Sequence, residues 1–493
     1  MNFLSLFVLI PALMMIGLFV SKNRKQILFI MTFGASLQLI FTSVVTYMYL
    51  AERAAGNMAE MLFTADTVWY APFNIHYSVG IDGVSVVMLL LSAIIIFAGI
   101  FASWKIEPLT KEFFIWYNLL SLGVFGFFIC LDLFTMFLYY EIALVPMFLL
   151  IGIWGSGKKE FVAMKLILML MACSALLLMC ILGIYYQSGA SSMNILEIAK
   201  HGIPLQAQYY LFPLTFLAFA IKGAMFPFHT WLPDGHASAP TAVSMFQAGV
   251  LMKLGGYGCF RIALYLMPQA AHEFAWIFII LSVISVIYGA FAAVAQKDLK
   301  YINAYSSVSH CGLVTFALLM FNQTAMTGAI LQMLSHGLMA ALIFALIGMI
   351  YGRTHTRLIN EMSGLMKVLP FLGVSYVIGG LASLGLPGLS GFISEMTIFV
   401  GAFQEADTFY RVLTIIACST IVITAVYILR MVGKILFGAI QDEHHKHLED
   451  ATWYERISVV TLIAAIFAVG SAPFWISAMI GESVMPVITQ LAK

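Results

Sequence analysis

The chain consists mainly of long apolar stretches separated by short polar segments. A helix needs about 20 mostly apolar residues to cross the hydrocarbon core of a bilayer, and stretches of that length recur from end to end. The first lacks a basic leader and a small-residue cleavage site, so we expect a retained spanning helix rather than a signal peptide. The pattern predicts fourteen spans, near residues 3–20, 27–50, 84–104, 113–130, 133–154, 162–186, 209–227, 241–265, 274–295, 301–320, 325–351, 369–402, 410–437 and 457–481.

Predicted spans seven and twelve each combine a helix breaker with a charged residue. In span seven Lys222 precedes Pro227, and in span twelve Glu395 follows Pro387 and Gly388. Broken helices are tolerated at membrane depth where they line a polar cavity. We therefore expect both helices to be discontinuous.

The chain also predicts an internal repeat. The separation from Glu141 to His310 nearly equals that from Lys222 to Glu395, which indicates two copies of a five-helix unit. An odd number of helices per unit makes the copies inverted, as in many transporters. The expected fold is an all-α polytopic membrane protein in four parts. Helices one to three occupy residues 1–112, and a first inverted repeat of helices four to eight occupies residues 113–268. A second inverted repeat of helices nine to thirteen occupies residues 269–440, and a cytoplasmic loop with helix fourteen occupies residues 441–493.

Composition supports the membrane assignment. Hydrophobic residues make up 62% of the 493 residues and charged residues only 10%, more apolar surface than one water-soluble core can bury. The formal net charge is +1, without the clustered excess of Lys and Arg that nucleic-acid binding requires. The six cysteines are scattered through apolar stretches without a C-x-x-C pair, so we interpret them as small core residues.

Lys and Arg separate between alternate loops, and this asymmetry predicts orientation because basic loops stay in the cytoplasm. The basic side is expected to carry Lys22, Arg24, Lys25, Lys105, Lys111, Lys158, Lys159, Lys297, Lys300, Arg353, Arg357, Lys367, Lys434, Lys446 and Arg456, with Arg430 near it. The other side carries only Arg53, Lys200, Arg411 and Lys493. Both termini are therefore expected on the outer, periplasmic side of a bacterial cytoplasmic membrane.

Several ionisable residues fall inside predicted spans. Each costs at least ~2.5 kcal/mol near the bilayer centre on insertion scales, so each needs a function or a partner. Lys165 and Arg261 are ambiguous, since either can reach the interface or pair. The others are Glu141, Lys222, Lys253 and Glu395.

Glu141 and Lys222 are the first candidate pair. Glu141 lies in an apolar helix without a basic partner one turn away. It is either a proton carrier that modulates Lys222 or half of a structural ion pair, and a buried ion pair is weak evidence for stability. Desolvation favours a neutral lysine while a nearby carboxylate favours the ammonium, so movement between the two can load or unload a proton.

Four further residues are candidates for proton transfer. Lys253 lies mid-helix among glycines that leave room for water, although it can instead be a counter-ion for a carbonyl. His310 and His336 lie in consecutive spans, and histidine suits a relay because it titrates near neutrality, whereas the bland alternative is a hydrogen-bonded core residue. Glu395 is either the final proton acceptor or a counter-charge for a neighbouring subunit.

Three other patterns do not indicate a site. Residues 228–240 contain two His and one Asp without ligand spacing, which favours a structural connector over a metal site. Residues 152–158 have the G-x-x-x-x-G-K form of a phosphate loop, but Lys159 stands where Ser or Thr must follow and a membrane helix precedes it. The His-rich residues 443–450 are interpreted as a solvated loop. Any redox chemistry is therefore expected in other chains.

Five segments resemble the antiporter-like membrane subunits of respiratory complex I, and among them the M type, subunit 4 of the mitochondrial enzyme. The resemblance extends from about Gly80 to Gly438. Its most specific segments are Gly80-Ile81-Asp82-Gly83-Val84-Ser85, Tyr140-Glu141-Ile142-Ala143-Leu144-Val145-Pro146-Met147, Phe228-His229-Thr230-Trp231-Leu232-Pro233-Asp234, Ala304-Tyr305-Ser306-Ser307-Val308-Ser309-His310 and Leu386-Pro387-Gly388-Leu389-Ser390-Gly391-Phe392.

The resemblance implies water-connected proton transfer through Glu141, Lys222, Lys253 and the charge of span twelve, driven by quinone reduction elsewhere. NAD, FMN, Fe-S clusters and quinone are implied in partner subunits, none of them bound by this chain, and the partners implied are the sibling antiporter-like subunits. Siblings usually carry Lys on span twelve, whereas Glu395 resembles the M type. We also expect the chain to end soon after span fourteen, without the long lateral helix of the L-type sibling.

Two related functions remain as alternatives. One is a subunit of a multi-subunit cation/proton antiporter, which Glu395 disfavours, and the other is the membrane module of an energy-converting hydrogenase. A solute carrier with a central substrate site is disfavoured because the buried polar residues form a line rather than a cluster.

Overall fold

The computed structural model describes residues 2–440 and 442–492, which form a helical membrane bundle. Eleven helices in this part of the chain are long and apolar enough to cross a membrane. The all-α polytopic class is thereby confirmed, while the count of fourteen spans stays a prediction. Lys493, which entered the charge comparison, lies outside the described residues, as does residue 441 at the predicted border of the last domain.

The N-terminal region contains three apolar helices and one β-hairpin. The elements are α1 (Leu6–Val20), α2 (Arg24–Ala54), β1 (Leu62–Tyr70), β2 (Ile75–Ile81) and α3 (Gly83–Ala102). The strands pair antiparallel, with Thr67 opposite Tyr77, and Asn74 takes a left-handed conformation in the turn. Residues 62–81 were not predicted as strands, so the hairpin is an addition to the all-α expectation.

The next region contains long helices and a broken one. Its helices are α4 (Thr110–Ile129), α5 (Leu133–Trp154), α6 (Lys159–Ser188), α7 (Ile195–His201), α8 (Leu205–Lys222) and α9 (Trp231–Ser238). The break between α8 and α9 confirms the prediction for span seven. It follows from Ala224, which has a positive φ of 58°, and from Pro227, which lacks the N–H that would continue a helix.

The following span changes its helical geometry twice. It runs through α10 (Thr241–Phe246), a π-helical segment (Gln247–Leu251), α11 (Met252–Gly258) and a second π-helical segment (Cys259–Leu264). We call this composite the interrupted helix. Such π-helical turns are rare and are frequent at functional sites, and α11 carries Lys253.

The second half repeats the pattern of long helices with one break. Its helices are α12 (Pro268–Ala295), α13 (Leu299–Leu318), α14 (Gln323–Thr354), α15 (Pro370–Ser383), α16 (Ser390–Ala402) and α17 (Thr408–Leu436). The break between α15 and α16 confirms the prediction for span twelve. Gly385 and Gly388 there have φ of 75° and 92°, values that favour glycine because it lacks a Cβ.

The C-terminal region departs from the predicted span 457–481. Two helices, α18 (Trp453–Ser471) and α19 (Phe474–Leu491), meet at Pro473. Contacts of α19 are with the ends of other helices on one face: Gly481 O accepts from Gln323 at the start of α14, and Leu491 O bonds His272 near the start of α12. The helix therefore lies along this face, and the chain does carry a short lateral helix.

Helix ends define two faces of the bundle. The hairpin face carries β1, β2, α19 and Asn2, whose side chain donates to Phe63 O. The opposite face, the basic face, carries the predicted Lys- and Arg-rich loops. One of these residues is buried: Lys300 lies in the first turn of α13 and donates to Ala239 O at 2.6 Å.

One helix contact occurs twice in the bundle with identical spacing along the chain. A Cβ added to Gly123 of α4 would lie 2.6 Å from Ala143 N and 2.8 Å from Tyr139 O of α5. A Cβ added to Gly289 of α12 would lie 2.6 Å from Ser309 N and 2.8 Å from Tyr305 O of α13. The two helix pairs therefore pack in the same way, which supports the predicted internal repeat.

Candidate functional site: a buried row of ionisable side chains

Lys222 occupies the break after α8. It is the last residue of that helix and is 1% exposed. The unsatisfied carbonyls at a helix C-terminus favour a cation, and its Nζ lies 4.8 Å from the centroid of the Tyr140 ring. The sequence of α8 thus places a cation at a point where the backbone is open.

Glu141 follows Tyr140 on α5 and faces the same region. Its side chain is half-buried, and its buried Oε1 atom has no hydrogen-bond partner among the described residues. No ion pair joins it to Lys222 in the part of the chain that the structure describes. The two groups are therefore within electrostatic range of each other without forming a closed salt bridge.

Lys253 lies at the centre of the interrupted helix and is buried. Its Nζ donates to the Ala248 carbonyl in the first π-helical segment and lies 2.8 Å from Nδ1 of His336 on α14. Ala248 lies in that π-helical segment, five residues before Lys253. Lys253 is thus hydrogen-bonded directly to a titratable group.

The two histidines predicted from consecutive spans face each other. The ring centroids of His310 and His336 are 5.3 Å apart, and His336 Nε2 lies 3.1 Å from Ser307 Oγ. Each imidazole has two nitrogens that can exchange roles as donor and acceptor. The pair therefore connects Lys253 to whatever lies beyond His310.

Glu395 lies beyond His310. Its Oε1 is 3.6 Å from His310 Nδ1, and the same nitrogen lies 3.0 Å from Gln332 Nε2. A Cβ at Gly385 would come within 2.9 Å of Glu395 Oε2, so the carboxylate rests against the open backbone between α15 and α16. Lys253, His336, His310 and Glu395 form a contiguous series.

The first break contacts the interrupted helix close to Lys253. A Cβ at Gly255 would lie 2.5 Å from Phe219 O and 2.6 Å from Gly223 N. Backbone approach this close needs glycine on one side. The Lys222 break and Lys253 are consequently held next to each other by backbone packing.

Sequence reasoning did not single out His236, a buried titratable group that it placed in a structural connector. His236 lies in α9, is 0% exposed, and neither ring nitrogen has a hydrogen-bond partner among the described residues. Its ring centroid is 4.8 Å from that of Phe344 on α14. The sequence feature that could have identified His236 is its position between helix-breaking residues in a predicted membrane region, the same context that indicated Lys222.

The two ambiguous basic residues both pair. Lys165 Nζ lies 2.7 Å from Asp234 Oδ2, and Tyr301 also donates to this carboxylate. Arg261 pairs with Asp82, and both side chains are almost fully buried. Neither pair belongs to the row from Lys222 to Glu395.

Within the described residues, no group of three His, Cys, Asp or Glu side chains is arranged to hold a metal ion. Residues 443–447 form a short 3-10 helix with Lys446 paired to Glu443. Lys159 of the apparent phosphate loop begins α6 and donates to Ile153 O at 2.7 Å.

Known proteins share this sequence pattern and fold. The family model described as "NADH:quinone oxidoreductase/Mrp antiporter, TM" matches residues 130–424. NADH-quinone oxidoreductase subunit M of Rickettsia conorii is 35% identical over 95% of both chains. The NAD(P)H-quinone oxidoreductase chain 4-2 of a Synechocystis strain is 39% identical over 75% of this chain and 67% of its own length.

Solved structures agree in fold. A chain of respiratory complex I from Thermus thermophilus superposes with a TM-score of 0.90 at 24% identity, covering 99% of each chain. A chain of the Mrp complex from a Dietzia strain gives 0.86 at 19% identity, covering 99% of both. The resemblance predicted from sequence is confirmed: the chain belongs to the NADH:quinone oxidoreductase/Mrp antiporter family of membrane subunits.

Proposed function

We propose that this chain is a proton-translocating membrane subunit of an NADH:quinone oxidoreductase. It couples quinone reduction in other subunits to proton transfer along its buried row. NAD, FMN, Fe-S clusters and quinone belong to those partner subunits, and this chain carries none of the redox chemistry. Two relatives named as subunit M or chain 4 of such enzymes support the assignment.

The observation that carries the proposal is the contiguity of the row. The Nζ of Lys253 lies 2.8 Å from Nδ1 of His336, and the ring centroids of His336 and His310 are 5.3 Å apart. The Nδ1 of His310 lies 3.6 Å from Oε1 of Glu395. Buried ionisable groups are costly in a membrane, and a series of four in contact is unexpected unless protons use it.

The first step of the proposed mechanism is a charge switch at the Lys222 break. At an effective dielectric of ~20, two unit charges ~4 Å apart interact by ~4 kcal/mol, and at ~8 Å by about half that. Movement of Glu141 by a few ångströms therefore changes proton affinity at Lys222 by more than tenfold. The released proton passes to Lys253, then through His336 and His310 to Glu395.

The proposed function also defines the partners of this chain and its location in the membrane. The partners are the other membrane subunits, including sibling antiporter-like chains, together with the lipid bilayer, and no nucleic acid is involved. The chain is a multi-pass protein of the inner, cytoplasmic membrane. From the basic loops, the basic face is cytoplasmic and the hairpin face, with both termini, is periplasmic.

Lys253→Met in the intact, reconstituted complex tests the proposal. Methionine is also unbranched and flexible but carries no proton, so NADH:quinone turnover and proton movement per assembled complex should both fall at least about tenfold. The matched control is Lys367→Met, a change at an exposed lysine of the basic face. Turnover and pumping at control levels in an assembled Lys253→Met complex would refute the assigned role.

An Mrp-type antiporter subunit is the second candidate, because the matched family includes such subunits. Purification of the complex and identification of its partner chains separates the two. NADH-binding and Fe-S subunits support the first candidate, and their absence from an active complex that exchanges sodium for protons supports the second.

A further inference from the structure

A second buried charge cluster lies outside the row, near the hairpin face. Its centre is the ion pair of Arg261 and Asp82, whose side chains are 1% and 2% exposed. Arg261 belongs to the second π-helical segment of the interrupted helix. Asp82 is the N-cap of α3 and also accepts from Ser85 N at 2.8 Å. It lies in the Gly80–Ser85 segment of the sequence resemblance, which the proposed row does not use.

Towards the row, the cluster continues through hydroxyl groups. Ser85 Oγ lies 2.9 Å from the hydroxyl of Tyr257. Tyr257 and Lys253 both lie in α11, four residues apart, so their side chains emerge on one helix face with Cβ atoms about 5–6 Å apart. Lys253 is therefore within reach of this cluster when its flexible side chain turns away from Ala248.

Towards the hairpin face, the cluster continues in the same way. The backbone N–H of Gly83 donates to Ser483 Oγ of α19 at 2.8 Å, and this hydroxyl lies 3.3 Å from the Tyr49 hydroxyl. Tyr49 OH in turn accepts from Arg53 Nε at 3.0 Å. Arg53 is half-exposed near the end of α2, so hydroxyl groups and a guanidinium lead from the start of α3, next to Asp82, to the surface.

The row itself crosses the bundle from the Lys222 break to the break beside Glu395. A buried ion pair is weak evidence for stability, and this one lies where an outward branch from Lys253 would run. We propose that Tyr257, Asp82 and Arg261 form a proton-release route from Lys253 to the hairpin face. This inference rests on the proposed function and adds the direction of release.

The proposed transfer conserves charge at every step. The Lys253 ammonium gives a proton to the Tyr257 oxygen while the Tyr257 hydroxyl proton moves to Ser85, leaving a neutral lysine and an unchanged tyrosine. When Arg261 separates from Asp82, the carboxylate takes a proton from the neighbouring Ser85, whose backbone N–H already donates to it. The buried acid then passes the proton outward through the Ser483 and Tyr49 hydroxyls, which lead to the half-exposed Arg53 and to water. Return of Arg261 restores the carboxylate pair and blocks backflow.

Two variants of the intact, reconstituted complex test the route. Tyr257→Phe removes only the hydroxyl and keeps the ring that packs on Phe127 and Phe128. The double variant Asp82→Asn with Arg261→Gln removes both charges while asparagine still caps α3. Each should lower turnover and proton release per assembled complex by about fivefold or more and increase the solvent deuterium isotope effect, which a packing defect would leave unchanged.

The matched control neutralises another largely buried pair, Arg353→Gln with Glu455→Gln, at the basic face. It should leave the rate per assembled complex and the isotope effect unchanged. If the double variant at Asp82 fails to assemble, Tyr257→Phe decides alone. The route would be overturned if the assembled Tyr257→Phe complex kept the wild-type rate, proton release and isotope effect. If Lys253→Met still abolished pumping in that case, the proposed function would stand without the release route.

Discussion

Replacement of Glu395 by glutamine tests the end of the row most directly. Glutamine keeps the size and hydrogen bonding of the side chain but can neither accept nor release a proton. Glu395 Oε1 lies 3.6 Å from His310 Nδ1, so at an effective dielectric of ~20 the charged forms attract by about 5 kcal/mol. Because every 1.4 kcal/mol is a factor of ten, loss of even a third of this interaction makes protonated His310 about tenfold rarer.

The expected result is an assembled Glu395→Gln complex that loses most of its coupled activity, by about tenfold or more. Glu395→Asp retains a carboxylate at slightly greater distance and should keep part of the activity. Glu395→Lys copies the sibling subunits and should keep some, although its cation faces His310. The assay is proton movement and NADH:quinone turnover in reconstituted vesicles, normalised to the amount of assembled complex.

Glu482→Gln is the matched control, since Glu482 is an exposed carboxylate on α19. It should behave as wild type. If Glu395 merely neutralises a basic residue of a neighbouring subunit, its glutamine variant changes the amount of complex but not the protons moved per electron. Unchanged rate and stoichiometry in the assembled Glu395→Gln complex would remove this residue from the pathway.

Three further predictions concern other parts of the chain. Glu141→Gln should lower pumping and quinone reduction together, because the charge that favours the ammonium at the first break is lost; normal values in an assembled complex contradict this. Gly289→Ala should reduce assembly, since overpacking costs about 1–3 kcal/mol and the new Cβ would lie 2.6 Å from a backbone nitrogen, whereas Gly352→Ala, with no neighbour within 4 Å, should not. With an impermeant thiol reagent applied to intact cells, Ala406→Cys should label and Lys297→Cys should not; the reverse pattern would invert the orientation.

Hydrophobic runs predicted the long helices well because each helix must present an apolar surface to lipid over a fixed length. The same rule could not orient α19, which has the length and hydropathy of a span. Its direction is decided by contacts with Gln323 and His272, which are distant in sequence. The hairpin was missed although Thr67, Val68, Trp69 and Tyr70 favour strands, since only apolar length was considered between spans two and three.

For the candidate site, sequence identified which groups are chemically unusual but not how they pair. Lys253 and His336 are in contact because α11 packs beside α14, and no local spacing encodes that. The pairing of Arg261 with Asp82 likewise depends on the approach of the interrupted helix to α3. Charged residues at membrane depth can therefore be read from sequence, whereas their partners are set by helix packing.

The two helix breaks explain why opposite charges can occupy equivalent places in the two halves. Lys222 stands at the C-terminus of α8, where carbonyls without helical partners favour a cation. Glu395 lies further along α16, but its carboxylate reaches back to the open backbone at Gly385. Each break thus supplies polar backbone groups at membrane depth that an intact helix would use internally. The glycines that allow this close approach, Gly385 at the second break and Gly255 packed against the first, support the row as directly as its ionisable side chains, because a Cβ at either position would collide with Glu395 or with the backbone at the Lys222 break.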